Sequence, residues 1–159
     1  MRAAVVIVIF LLASLGLTAA PNPKSSSPST EALTYQNIVA HFKSAGMRRT
    51  EVQKRCTVFF EGEWKNPNVY DYCLIIVENS DEDVQVTFYL TDAHEMNWIT
   101  EFVDAPFFTE PETLKLLTLV NGDAAKEVKN IGRHRVEFHH WEPKHAEIFV
   151  FSFTPAKNK

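Results

Sequence analysis

Glycine and cysteine are both scarce in this 159-residue chain, which has five of the first and two of the second. No Gly-x-Ser-x-Gly elbow, glycine-rich phosphate loop or EF-hand calcium loop occurs. The usual signatures of serine hydrolysis, nucleotide binding and EF-hand calcium binding are therefore missing. Two cysteines are too few for a disulfide-dense miniature scaffold. Beyond the N-terminus no apolar run approaches the roughly 18 residues of a membrane span, so no stable membrane insertion is expected after signal cleavage. Lysine and arginine number 16 against 20 aspartates and glutamates. A nucleic-acid partner is not expected, because phosphate binding favours a basic face. Residues 21–159 contain no Asn-x-Ser/Thr acceptor for N-glycosylation.

The first 20 residues carry the clearest pattern. Met1-Arg2 gives a minimal positive start, Ala3 to Leu17 is apolar apart from Ser14 and Gly16, and Thr18-Ala19-Ala20 supplies small residues. That order predicts a secretory signal peptide over 1–20, cleaved after Ala20, and a secreted product. Removing Arg2 with it leaves a formal charge of −5. Residues 21–30, PNPKSSSPST, are rich in serine and proline and are expected to form a disordered leader. Residues 31–155 then suit a single domain, with 156–159 as a C-terminal tail.

Within the domain, Ala32, Tyr35, Ile38, Val39, Phe42 and Ala45 recur at helical spacing. Ser29 or Thr30 is the expected cap and Gly46 the stop. Strands are expected at 57–64, 70–77 and 84–90, and the last alternates cleanly. Residues 92–108 resist assignment because Pro106 interrupts them. Thr109-Glu110-Pro111-Glu112 has capping-box spacing and opens a helix carrying Leu114, Leu117 and Val120, although a strand reading for 114–120 stays open. Asp123 is expected to cap a further short helix to Asn130. Two strands close the chain, 133–141 and 146–154, and the stickiness of AEIFVFSFT places the second well inside the sheet. The expected class is α+β, a curved antiparallel sheet with helices packed on one face.

Cys56 and Cys73 present a conflict. A hairpin pairing Trp64 with Tyr70 would turn them to opposite faces and beyond disulfide reach. The oxidising compartment favours a bridge all the same, and a disulfide bond is the expectation.

Candidate chemistry is sparse. His94-Glu95 opens like a zinc-protease helix, but Trp98 stands where the second histidine belongs. Glu61 and Glu63 share a strand face, and Asp81-Glu82-Asp83 forms an acidic turn; both read as solvated surface. RHRVEFHHWEPKH, residues 133–145, holds four of the six histidines. Alternation along a strand splits His139 from His140, so the pair cannot chelate one ion. His140 and Glu147 can meet across the hairpin at the rim of the core, but the third partner that a zinc site needs is not visible. No catalytic, metal or cofactor residue is assigned.

The aromatic content favours binding. A sheet under helices can hold an apolar pocket, with Trp98, Phe102, Phe138, His140, Phe149 and Phe151 as its expected lining. The expected function is a secreted, soluble, non-enzymatic binding protein for an apolar small molecule or an extracellular protein. One alternative is a secreted protease inhibitor or antagonist, with the segment 64–70 as its contact loop. A helix followed by an antiparallel sheet is architecturally similar to cystatin-like domains. Gln36-Asn37-Ile38-Val39-Ala40 lacks the glycine that closes their inhibitory motif and falls in the expected helix, so no site is carried over. A third alternative is a small hydrolase using His134 or His140 with acidic neighbours.

Overall fold

The computed structural model describes residues 31–47, 50–62, 70–91, 97–143 and 146–157. The expected signal peptide and leader, the 64–70 loop and His94-Glu95 lie wholly or largely outside them. Three helices and seven strands are described: α1 Tyr35–Ser44, β1 Thr50–Gln53, β2 Cys56–Gly62, β3 Tyr70–Ser80, β4 Asp83–Thr91, α2 Asn97–Val103, α3 Glu110–Val120, β5 Lys126–Ile131, β6 His134–Trp141 and β7 Ala146–Pro155. The strands form one antiparallel sheet in the order β1-β2-β3-β4-β7-β6-β5.

The class is antiparallel α+β, but the expected curvature is not found. The sheet is flat and open, its linear strand order leaving β1 and β5 as separate edges. Both edges are polar. Lys126, Glu127, Lys129 and Asn130 fill β5, and Glu51 and Gln53 lie on β1. Charged edges resist pairing with another chain. The same polarity conceals β5 in the sequence. Val128 and Ile131 stand three apart like a helical stripe, yet the segment is a strand rather than the expected helix after Asp123.

Local signals explain the helices. Thr34, not Ser29 or Thr30, caps α1, accepting a hydrogen bond from the Asn37 backbone N–H. Gly46 follows the helix at a φ of 107°, a region glycine enters without a Cβ penalty. In α3 the Glu112 carboxylate accepts from the Thr109 backbone N–H at 2.7 Å and from its hydroxyl at 2.8 Å, which settles the segment as helix. That carboxylate also lies over Gly132 in the β5–β6 turn, where a Cβ would collide with it. One glycine therefore lets the turn and the helix cap share a corner.

The three helices pack on one face of the sheet. Ile38 and Phe42 of α1, Ile99, Phe102 and Val103 of α2, and Leu116, Leu119 and Val120 of α3 join one core cluster. The sheet contributes Phe59, Leu74, Ile76, Val86, Phe88, Val136, Phe138, Phe149, Phe151 and Phe153 among others, all from the same side. Tyr35 and Thr57 dock α1 on β2 through a hydroxyl pair at 2.6 Å. The Thr113 hydroxyl donates to the Val103 carbonyl at 2.7 Å and ties α3 to α2.

The expected disulfide bond is not formed, and both cysteines are free. Cys56 pairs in register with Val77, and Cys73 with Phe60, four residues further along β2. Four residues of strand span roughly 13 Å, whereas a disulfide needs its Cα atoms within about 7 Å. The register is one residue away from the simple hairpin, so both cysteines occupy the same face, opposite the helices. Burial first, and the charge of Cys56 on the same face second, push the Cys73 thiol up to about 11. Intact mass should be the same with and without reductant. Both thiols should react with a thiol reagent after unfolding, with Cys73 slow in the native state. A two-hydrogen mass gain on reduction would contradict this register.

Candidate functional site

Among the described residues, the β6–β7 hairpin gathers a dense group of chemistry-bearing side chains. Strand alternation sorts them. His140 shares the core face with Phe138 and Val136, while His139, Glu137 and Arg135 point to the other face. The pairing of His140 with Phe149 differs by two residues from a tight turn at 142–145, and an even shift preserves every face.

On the open face, the Glu137 carboxylate is shared by Lys126 at 2.7 Å, His139 at 3.0 Å and Arg135 at 3.3 Å. The hydrogen bond from Lys126 first, then that from His139, hold its carboxyl at about 2, well below the usual range. The His139 ring stacks on Trp141 at 5.6 Å.

On the core face, His140 Nε2 lies 3.0 Å from Glu147 Oε1, the contact expected from the sequence. The ring lies flat on Phe149, with centroids 4.5 Å apart and planes 9° from parallel. The His140 backbone N–H donates to the Ala125 carbonyl at 2.9 Å. Glu142 adds what the sequence did not reveal. Its Oε1 lies 3.8 Å from His140 Nε2, and one ligand atom each from His140, Glu142 and Glu147 lie within 4.8 Å of one another. Placed in a turn by its Pro143 neighbour, Glu142 gave no periodicity signal. His145 lies outside the described residues.

Compared with protein-family models, curated proteins and solved structures, the chain matches none. Function must therefore be argued from its own residues.

The six expected lining residues are linked by ring contacts only with Phe42 added between Trp98 and Phe102. Trp98 meets Phe42 at 6.3 Å, Phe42 meets Phe102 at 6.3 Å, and Phe102 meets Phe151 at 5.9 Å. Phe151 then meets Phe138 at 5.1 Å, Phe138 meets Phe149 at 6.3 Å, and Phe149 carries His140. Phe102, Phe138, Phe149 and Phe151 are at most 1 % exposed. These rings touch one another as core neighbours. Among the described residues, two surface clefts of about 470 and 570 Å³ are lined by other residues. Replacing Phe151 by alanine should cost about 3–5 kcal/mol in urea unfolding, as for a packed core ring. A loss below about 1 kcal/mol would point instead to a ring facing empty space.

His134 stands at the far end of β6, edge-on to Phe153 at 6.0 Å. Burial first and the Arg133 guanidinium second push its imidazole below the ordinary 6.5, against an opposing pull from Glu112. Folding thus favours the neutral ring. Above about pH 6.5 both states are neutral and this contribution is complete. As pH falls, the unfolded chain gains a proton before the folded one does, and stability drops until the lowered folded value is passed. Glu137 acts in a separate window, because its contribution fades only as pH falls from 4.5 towards 2. Thermal unfolding of His134→Gln should therefore show a shallower stability loss as pH falls below about 6.5. An unchanged slope would remove His134 as the source.

Proposed function

We propose that the chain is a secreted, non-enzymatic binding domain that docks an extracellular protein on the open face of its sheet. Secretion rests on the pattern of residues 1–20. The docking reading rests on the contrast between the two faces. One face is covered by three helices, and its apolar residues all join the core cluster. The other carries Val58, Ile75, Val77, Tyr89 and Ile148, all half-buried, with Val150 at 8 % exposure outside that cluster. Strands β6 and β5 add Trp141 at 50 % exposure and Val128 at 44 % on the same face.

The observation that carries the proposal is Trp141. It stands half-exposed opposite Ile148, next to Val150, at the border of this apolar surface. Tryptophan in such a setting is a common binding anchor, with a large flat area and few rotamers to freeze. The partner's chemistry follows from the charges. Glu137 is outnumbered by Lys126 and Arg135, so this border is slightly positive although the chain as a whole is acidic, and an apolar partner surface with at most a mild acidic rim fits it. No described helix is long and apolar enough to cross a membrane.

The protein partner is preferred to a small apolar ligand because the ring series under the helices is occupied by ring-to-ring contacts. The inhibitor alternative used the loop 64–70, of which only Tyr70 is described. Trp141→Ala should leave the melting temperature nearly unchanged and weaken a partner recovered from the secreted fraction by about 30-fold or more. Val52→Lys, at the β1 edge, should leave binding intact. A partner that tolerates Trp141→Ala and Ile75→Lys alike would sink the docking face. Light scattering that shows a stable dimer lost on Trp141→Ala would assign the face to a second copy instead.

A further inference from the structure

We propose that His140, Glu142 and Glu147 form a binding site for a divalent transition-metal ion, with zinc as the best-suited occupant. The inference is independent of the docking face, since His140 and Glu147 lie on the other side of the sheet.

Geometry carries the first step. Two ligand atoms bound to one tetrahedral zinc, each about 2.0–2.1 Å from it, stand about 3.3 Å apart. The His140 Nε2 distances of 3.0 Å to Glu147 and 3.8 Å to Glu142 lie on either side of that spacing. The three ligand atoms lie within 4.8 Å of one another, so an ion at the centre needs the Glu142 carboxylate to draw in, and that side chain, 75 % exposed, is free to move.

Charge carries the second step. A histidine–carboxylate hydrogen bond explains Glu147 alone. It does not explain why a second carboxylate converges on the same nitrogen. Among the described residues, neither Glu142 nor Glu147 forms an ion pair with a lysine or arginine, although such pairs recur on nearby Glu127 and Glu137. Two carboxylates facing one imidazole leave an uncompensated negative charge that a divalent cation neutralises.

Pre-organisation is the third step. The His140 ring is held flat against Phe149, and its side chain is only 15 % exposed. Glu147 projects from β7, which is paired on both sides. Two ligands on rigid strands and one at the hairpin mouth give a fixed pair and an adjustable third. The donor set selects the ion. One imidazole nitrogen with carboxylate oxygens suits zinc and its first-row neighbours, whereas calcium and magnesium prefer oxygen alone. Three protein ligands leave a fourth position open at the solvent side, for water or for a donor from a bound molecule.

The test is calorimetric titration of untagged, purified protein with zinc chloride near pH 7.5, in a buffer that does not chelate. One zinc per chain is expected, with a rise in melting temperature. Glu142→Gln and Glu147→Gln should each weaken binding at least tenfold, and Glu142→Gln should leave the metal-free melting temperature unchanged. Cobalt in place of zinc should give visible bands of a nitrogen–oxygen site without a thiolate charge-transfer band. Absence of binding at millimolar zinc would overturn the proposal. So would affinity indifferent to both glutamate changes, or a thiolate band that places the metal on Cys56 or Cys73.

Discussion

The last strand in sequence, β7, lies between β4 and β6 and joins two otherwise separate groups of strands. Each core-facing ring of β7 is matched on both sides. Phe149 faces Phe88 and His140, Phe151 faces Val86 and Phe138, and Phe153 faces Val84 and Val136. Phe102 of α2 then rests on Phe151 and Phe153, each at 5.9 Å, so the helical layer seats on the same residues. Without these rings β1–β4 and β5–β6 have no common core. The sheet must also wait for its C-terminal strand before its middle exists, a topology dominated by long-range closure.

That dependence explains which elements could be read in advance. β7 announces itself because a strand buried on one face and flanked on both edges must be rich in aromatic and β-branched residues. α3 was legible through its capping box, a local hydrogen-bond pattern that needs no knowledge of the fold. The edges were not legible. β1 and β5 bury little, so selection against edge pairing shapes them more than hydrophobic periodicity does. Thr50–Gln53 therefore carries no strand signal in the sequence, and Lys126–Ile131 reads as a helix. Residues 97–103 hid for another reason. Pro106 drew attention to a break, while the stripe of Ile99, Phe102 and Val103 before it is too short to stand out.

Register shows the same division between what alternation fixes and what it leaves free. In β6–β7 the pairing differs by two residues from a tight turn, so His139 and His140 keep the faces that alternation gives them. In β2–β3 it differs by one, and a bulge at Glu61/Gly62 shifts it again, so the cysteines change face. Turn composition around Asn66-Pro67-Asn68 could not decide between those registers. Side-chain parity is therefore dependable where an even offset separates the alternatives, and unsafe wherever a bulge lies between the turn and the residue of interest. Glu142 was missed on different grounds. It sits beyond the strand, where no period applies, and only the folded hairpin brings it to His140.

The two faces of the sheet answer different demands. On the helix side, the Tyr35–Thr57 and Thr113–Val103 contacts pair polar groups between packed elements. On the open side, apolar groups persist with no covering layer among the described residues, and two cysteines stand among them. A thiol held up at about 11 is almost wholly protonated near neutral pH, and a protonated thiol is a weak nucleophile. Cys73 therefore behaves as a small apolar side chain that extends the surface of Ile75 and Val77. An open face built this way favours reversible apolar contact over covalent chemistry. The groups able to hold a charge at its border are already committed to Glu137. The proposed metal site at His140 lies across the sheet, so it and the proposed docking face would draw on different side chains.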